Sequence, residues 1–476
     1  MYGLLTDFYE LTMAQGFFLS GKADSVAYFD MYFRDIPDSG GYAIMAGVEQ
    51  LMEYMENLQF SDDDIEYLRS KPMFCEEFLE YLRNFKFTCD VWAVPEGTPI
   101  FPNEPIVTIR GNLIEAQLVE TMLLITVNFQ SLIATKASRI VRAANGRTIM
   151  EFGARRAQGT SAALHGARAA FIGGAAGTSC TLAEKEFSIP ALGTMGHSWV
   201  QSFNGEYEAF SQFAKLYPDN CTLLVDTYNV LKSGVPNAIK VFDDVLKPLG
   251  ITSGGIRIDS GDISYLSQKA RKMLDDAGWS DIKIVASNSL DEYIIRDLLT
   301  QGAKVDIFGV GERLITSKSY PVFGGVYKLA AVEEDCKIIP KIKVSENPAK
   351  ITTPYFKKVY RLFSNENNMA IADVLTTYDE EIDESGEYEI FDPVHTWKRK
   401  KIRNFTAKLL QTQIFKNGKP CYESPNIRKI QQYSAAELAK IWDETKRFEN
   451  PQEYYVDLSQ QLWDIKNQLI VNNNKF

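Results

Sequence analysis

The sequence predicts an α/β protein with a (β/α) barrel in the middle of the chain and mixed helical and strand segments on either side. Three observations predict it. From about residue 147, short β-rich runs alternate with helical stretches, which implies parallel strands joined by helical crossovers. Six such runs carry glycine or polar residues at their C-terminal ends. In a barrel those ends gather on one face, whereas an open sheet concentrates them near a switch point. Finally, 476 residues of which 45% are apolar can bury more than one core.

Residues 1–140 are expected to form an N-terminal α+β domain. Helical periodicity with acidic outer faces runs through 48–85, as in VEQLMEYMENL and DDIEYLRS. The segment 91–111 alternates β-formers with Pro/Gly turns, and a helix is expected at 113–137. Its apolar stretch 119–134 is interrupted by Glu120, Asn128 and Gln130. It therefore reads as a buried helix and not as a membrane span. Residues 141–335 form the expected barrel, with strands in RTIMEFGARR, ALGTMGHS, CTLLVDTYN, GIRIDSGD, KIVASNSL and VDIFGVGE. Residues 336–476 read as a C-terminal extension, with lysines clustered at 337–358 and 398–403 and a helical tail. Within that tail, SAAE matches a capping box at Ser434 and Glu437.

The net charge of -11 argues against duplex nucleic acid as a partner, which calls for a basic footprint. It leaves room for phosphorylated small molecules, because a pocket can be basic inside an acidic protein. The six cysteines form no C-x-x-C pair, so no thiolate metal site is expected. The opening MYGLLTDFYE has no basic leader region, and a cytoplasmic protein with reduced thiols and no membrane partner is expected.

The candidate chemistry sits at the strand ends. EFGARRAQG places Phe152, Arg155 and Arg156 just past a strand. An aromatic face beside a guanidinium suits a flat anion, and a surface ion pair is the plainer alternative. GGAAGTSC (173–180) is a glycine-rich run with Thr178 and Ser179. It lacks the lysine of a Walker A loop, and it suits either close ligand approach or a tight helix contact. GTMGHSW carries Thr194 and His197, one of only three histidines, where barrel chemistry occurs. In GIRIDSGD, Arg257 and Asp259 alternate onto one side of a strand. A carboxylate there can hold ribose hydroxyls or offset charge in an oxocarbenium-like transition state. Asp262 lies just past the same strand, and an Asp-Ser-Gly turn capping the next helix is the plainer alternative for the segment. Ser287, Asn288, Gly309 and Gly311 end the last two strands, where barrels often grip a phosphate. From the residues alone, the reading is a barrel enzyme acting on a phosphorylated sugar and a flat anion.

The ordered set TDFYELTMAQG, EFGARRAQG, GTMGHSW, LLVDTYN, GIRIDSGD, ASNSLDE, FGVGERLITS and GGVYKLA resembles nicotinate phosphoribosyltransferases. The resemblance implies an irregular (β/α) barrel of the quinolinate-phosphoribosyltransferase type, packed against an α+β domain formed by both chain ends. It implies a homodimer in which Asp7 and Tyr9 reach the neighbouring site, Tyr9 covering the nicotinate ring opposite Phe152. The substrates implied are nicotinate, 5-phosphoribosyl 1-diphosphate and ATP, with Mg2+ accompanying the diphosphate and no dedicated protein metal cage. His197 matches the histidine that ATP phosphorylates, Asp259 the ribose-side acid, and Thr194 and Arg257 positions near nicotinate. The nicotinamide-specific relatives place an Asp after the G-T of the glycine-rich loop, where this chain has Ser179. Serine can donate to a carboxylate that an Asp would repel. GTMGHSW counts against a quinolinate-type enzyme, and the presence of His197 and Asp259 against a non-catalytic sensor. One departure stands out: relatives often have Thr after FGVG, where Glu312 stands here, so an acid beside a phosphate loop must be paired or turned away.

Overall fold

The computed structural model describes residues 3–473, which divide into two compact units: 3–132 with 322–473, and 133–321. The division differs from the sequence boundaries mainly at residue 322. Residues 322–335 join the terminal unit because the strand Val326–Glu334 pairs with Val26–Tyr32 there.

In the terminal unit both chain ends share one antiparallel sheet. Its strand order is Lys337–Pro340, Val326–Glu334, Val26–Tyr32, Val107–Asn112, Asp90–Ala93, Thr412–Lys416, Lys419–Pro420. The strand Val26–Tyr32 is buried along nearly its whole length, as befits a central strand covered on both faces. A second sheet joins Phe405–Leu409, Lys357–Ser364, Ala370–Thr377 and Val456–Leu458. The acidic helical region resolves into Val48–Glu56, Asp62–Arg69 and Glu76–Arg83. Ser61 and Asp64 close a capping box on the second of these.

Two expectations for the tail change. Ser434 and Glu437 do not cap a helix; they lie buried inside Ile427–Ala439, whose N-terminus is capped by Asn426 through the Lys429 amide. Residues 456–458 form a strand before the last helix, because they pair in parallel with Ala370–Thr377. The basic run 398–403 is largely neutralised: Arg399 meets Glu389, and Lys401 and Arg403 meet Glu387.

The apolar stretch is helical, as Leu113–Leu118 and Glu120–Ala143. By length and composition alone it could cross a membrane, yet Leu113, Ile114, Leu118, Leu123 and Val127 all lie in the main hydrophobic core. Further along, Lys136 and Arg139 form a buried ion pair with Glu292 at 2.8 and 2.9 Å. That contact anchors the helix that follows the Ser287 loop.

The central unit holds an irregular (β/α) barrel. Six parallel strands run in the order Gly177–Thr178, Thr148–Glu151, Ile307–Val310, Lys283–Ser287, Gly255–Ile258, Thr222–Leu224. Among the described residues no ladder joins the two ends, which accounts for the irregularity. The run ALGTMGHS, expected as a strand, contributes only a bridge from Ala191 to Thr178, and the glycine-rich run supplies the strand at Gly177–Thr178 instead. A tight helix contact explains its first glycine, since a Cβ on Gly173 would lie 2.4 Å from the Ala134 carbonyl.

Candidate active site

The C-terminal ends of the barrel strands converge on a cleft with two lobes. One has a volume of about 290 Å³ and the other about 270 Å³, and Phe152, Arg155, Arg257 and Asp259 line both.

The strand Thr148–Glu151 delivers Phe152 at its end. The ring is pressed against the backbone of Gly309, where a Cβ would sit 2.4 Å from the Phe152 Cδ2 atom. Glycine at 309 is therefore a requirement of the aromatic wall, beyond any role toward a ligand. Arg155 and Arg156 follow in a short turn and are exposed. Beneath them Glu151 is buried, its carboxyl pushed upward by that burial, and it accepts from Thr178 Oγ1 at 2.6 Å. Thr178 is fully buried, and its hydroxyl also accepts from the Cys180 amide. Expected against substrate, Thr178 does not line the cleft; its side chain braces Glu151. Ser179, one residue on, is exposed and lines the His197 lobe.

His197 opens the short helix His197–Gln201, with Gly196 as its cap. Its Nδ1 lies 3.1 Å from Thr227 Oγ1, and its Nε2 faces Asp259 Oδ2 at 3.9 Å. Thr194 lines the same lobe.

The strand Gly255–Ile258 presents Arg257. It donates to the Met195 carbonyl at 2.7 Å and to Ser287 Oγ at 3.2 Å, and it lies 3.6 Å from Asp259. Burial depresses its pKa, offset in part by Asp259 and Asp226. The Ser287 hydroxyl donates in turn to Asp259 Oδ1, so one serine ties the guanidinium to the carboxylate. Asp262 caps the helix Ile263–Asp276 through the Tyr265 amide.

The other lobe is cationic. Arg155, Arg156, Arg257, Arg313 and Lys318 line it against Asp259 and Glu312, together with Asn288, Gly309 and Gly311. Asn288 and Ser289 hold left-handed backbone, with φ of 82° and 52°, which forms a sharp corner after the strand. The difficulty with Glu312 is resolved by pairing: Lys318 Nζ lies 2.7 Å from it and lowers its pKa. Arg313 is held by Asp291.

The sequence reading missed Asp226, Thr227 and Lys318. Asp226 accepts from the Asp259 amide and the Ser260 hydroxyl, while its Oδ1 is buried with no hydrogen-bond partner. The signal was present, since LLVDTYN ends in an acid at a strand terminus as GIRIDSGD does. Asp7 and Tyr9 lie in the terminal unit at the start of the helix Phe8–Leu19, with Tyr9 exposed. Among the described residues no group of three or more His, Cys, Asp or Glu is placed to hold a metal ion.

Comparison with known proteins places these features in context. Three family models match: the nicotinate phosphoribosyltransferase N-terminal domain over residues 4–128, the nicotinate phosphoribosyltransferase family over 147–367, and the corresponding C-terminal domain over 356–466. The nicotinate phosphoribosyltransferase of Bacillus subtilis (strain 168) is 47% identical, covering 98% of this chain and 95% of that protein. The Homo sapiens nicotinate phosphoribosyltransferase is 30% identical over 98% of this chain and 96% of its own length. The crystal structure of human nicotinic acid phosphoribosyltransferase superposes with a TM-score of 0.85 at 28% identity, covering 98% of this chain and 100% of that one. Nicotinate-nucleotide pyrophosphorylase from Pyrococcus furiosus shares the fold, with a TM-score of 0.70 at 24% identity over 92% and 95% of the two chains.

Proposed function

The chain belongs to the nicotinate phosphoribosyltransferase family, and on that premise we propose that it joins nicotinate to 5-phosphoribosyl 1-diphosphate at this cleft, in NAD salvage. Coupling to ATP gives the balance nicotinate + 5-phosphoribosyl 1-diphosphate + ATP + H2O to nicotinate mononucleotide + diphosphate + ADP + phosphate.

The observation that carries the reading is the pair His197 and Asp259, 3.9 Å apart where the two lobes meet, beside a lobe with five cationic side chains. That lobe suits the phosphates, held by Arg156, Lys318, Asn288 and the backbone at Gly309 and Gly311. Nicotinate lies on Phe152, with its carboxylate toward Arg155 and the Ser179 hydroxyl, and with Thr194 and Arg257 at the pocket wall. C1 of the ribose then sits near Asp259. As the diphosphate departs, positive charge grows on the ribose ring, and Asp259 offsets it from a position fixed by Ser287 and Arg257. His197 takes the γ-phosphoryl group of ATP on Nε2, its Nδ1 being held by Thr227; hydrolysis of that phosphohistidine drives the transfer forward.

Mg2+ is the metal this reading calls for, and the orphaned Oδ1 of Asp226 beside Asp259 fits the one or two carboxylates Mg2+ takes when substrate oxygens supply the rest. When bound, it neutralises the diphosphate leaving group. A homodimer completes the site, with Asp7 and Tyr9 of a second copy capping the nicotinate. Leu5, Phe8, Tyr9 and Met13 are all exposed on and before one helix, an apolar patch of the kind an interface covers. A cytoplasmic location fits such a salvage enzyme.

Product formation with nicotinate, nicotinamide and quinolinate tests the proposal. Mononucleotide from nicotinate alone is expected; product from either other acceptor instead overturns the specificity, and none from any overturns the activity.

A further inference from the structure

The terminal unit contains a cavity of about 380 Å³ that the proposed reaction does not use. Its walls include the apolar side chains Ile351, Pro393, Val394, Leu458, Trp463 and Ile470. Its charged lining is Arg34, Lys328, Lys357 and Lys466 against Asp30 and Asp35, an excess of two positive charges.

Much of the imbalance centres on one buried group. Asp30 is taken by Lys357, with Nζ and Oδ2 2.6 Å apart and both side chains buried. Lys328 lies 3.5 Å from Glu120. Lys466, in contrast, has among the described residues only the Thr353 hydroxyl, at 3.1 Å. Burial first and the neighbouring Lys357 second pull its pKa down to about 8, and no carboxylate opposes them. A second group is also unsatisfied. The Tyr32 side chain lines this cavity at 8% exposure, and its hydroxyl is buried beside the Arg34 guanidinium with no well-formed hydrogen bond among the described residues. An ammonium without a counter-ion among the described residues and a buried hydroxyl with no well-formed hydrogen bond, beside apolar walls, are costly arrangements that an anionic ligand relieves together.

We propose that this cavity is a second small-molecule site, taking an organic oxyanion, a carboxylate or a phosphate monoester on a ring-sized apolar body, with its charged end at Lys466 and Tyr32. The apolar walls receive the body, and Trp463 offers it an aromatic surface. The site lies wholly within the terminal unit, so it stands independently of the reading of the barrel cleft.

Reductive methylation of the full-length protein with formaldehyde and a borohydride tests this, followed residue by residue by peptide mass spectrometry. Benzoate and phenyl phosphate serve as probes, benzyl alcohol as the neutral control and exposed Lys272 as the reference amine. A ligand at ten times its Kd is expected to slow modification of Lys466 by about elevenfold, with Lys272 unchanged. The probe that protects at the lower concentration assigns carboxylate or phosphate. Tyr32→Phe is expected to raise the protecting concentration while leaving thermal stability near that of the parent. Equal protection by benzyl alcohol, or none from either anion, overturns the proposal. So does undiminished protection in Tyr32→Phe. The readout does not involve turnover, so failure of the cleft reading would not mimic any of these outcomes.

Discussion

His197 Nε2 faces Asp259 Oδ2 across 3.9 Å, while the other ring nitrogen of His197 lies 3.1 Å from the Thr227 hydroxyl. The imidazole is thereby fixed with one nitrogen directed at the cleft. A nucleophile held in one orientation reacts faster than one that must find it. Thr227→Val is therefore expected to lower ATP stimulation of turnover by about tenfold, equivalent to ~1.4 kcal/mol, while ATP-independent turnover stays near the parent value. Steady-state rates with and without ATP check this. Unchanged stimulation would mean that Thr227 does not position the histidine.

Gly309 makes room for Phe152. A methyl at 309 would sit 2.4 Å from the ring, so Gly309→Ala must displace the aromatic wall. Overpacking of this kind costs about 1–3 kcal/mol of stability. The expected result is a lower Tm and a KM for nicotinate raised by about tenfold, with a smaller effect on the KM for 5-phosphoribosyl 1-diphosphate. Equal changes in both KM values would show that the ring does not mark the nicotinate end.

Ser179 is exposed on the His197 lobe, which Arg155 and Arg257 also line. Ser179→Asp sets a carboxylate against the acid group of nicotinate. Like-charge opposition and the lost donor are expected to raise the KM for nicotinate by at least about tenfold and to improve nicotinamide use. Competition assays between the two acceptors report the ratio directly. An unaltered ratio would remove Ser179 from the specificity argument.

How much of this was legible beforehand follows from the kind of signal each residue gives. Arg257 and Asp259 were found because period-two spacing on a strand is local information, and the structure places both in the cleft. Glu312 was recognised as needing a partner, but its identity, Lys318, depends on a turn six residues long. Asp226 and Thr227 escape a local reading because their importance lies in contacts to Asp259 and His197, 33 and 30 residues away. Thr178 is ambiguous from sequence because a threonine beside a glycine-rich run looks alike whether its hydroxyl meets ligand or, as here, a buried Glu151. Likewise SAAE has the letters of a capping box, but Asn426 had already begun the helix. The strand pairing of residues 26–32 with 326–334 spans about three hundred residues and leaves no local trace.

Asp457 supplies a pH test of stability. Burial first, and the Asp392 carboxylate second, push its carboxyl up to about 7, against about 4 in an unfolded chain. Between those values the native state holds a proton that the unfolded state has released. This contribution is therefore full below about pH 4 and is lost as the pH rises through about 7. Asp457→Asn, which cannot ionise, should gain on the parent by a few kcal/mol, roughly, between pH 5 and pH 8. Thermal unfolding of both proteins at the two pH values measures the difference. A constant difference would show that Asp457 titrates as an ordinary carboxylate.

The central claim is that this cleft forms nicotinate mononucleotide with His197 as the phosphoryl acceptor. The most direct measurement is the rate of mononucleotide formation from nicotinate and 5-phosphoribosyl 1-diphosphate, titrated with ATP, for the parent and for His197→Asn. The account predicts that ATP accelerates the parent, and that the variant keeps a slow rate that ATP does not change. Equal stimulation by ATP in the variant would contradict it.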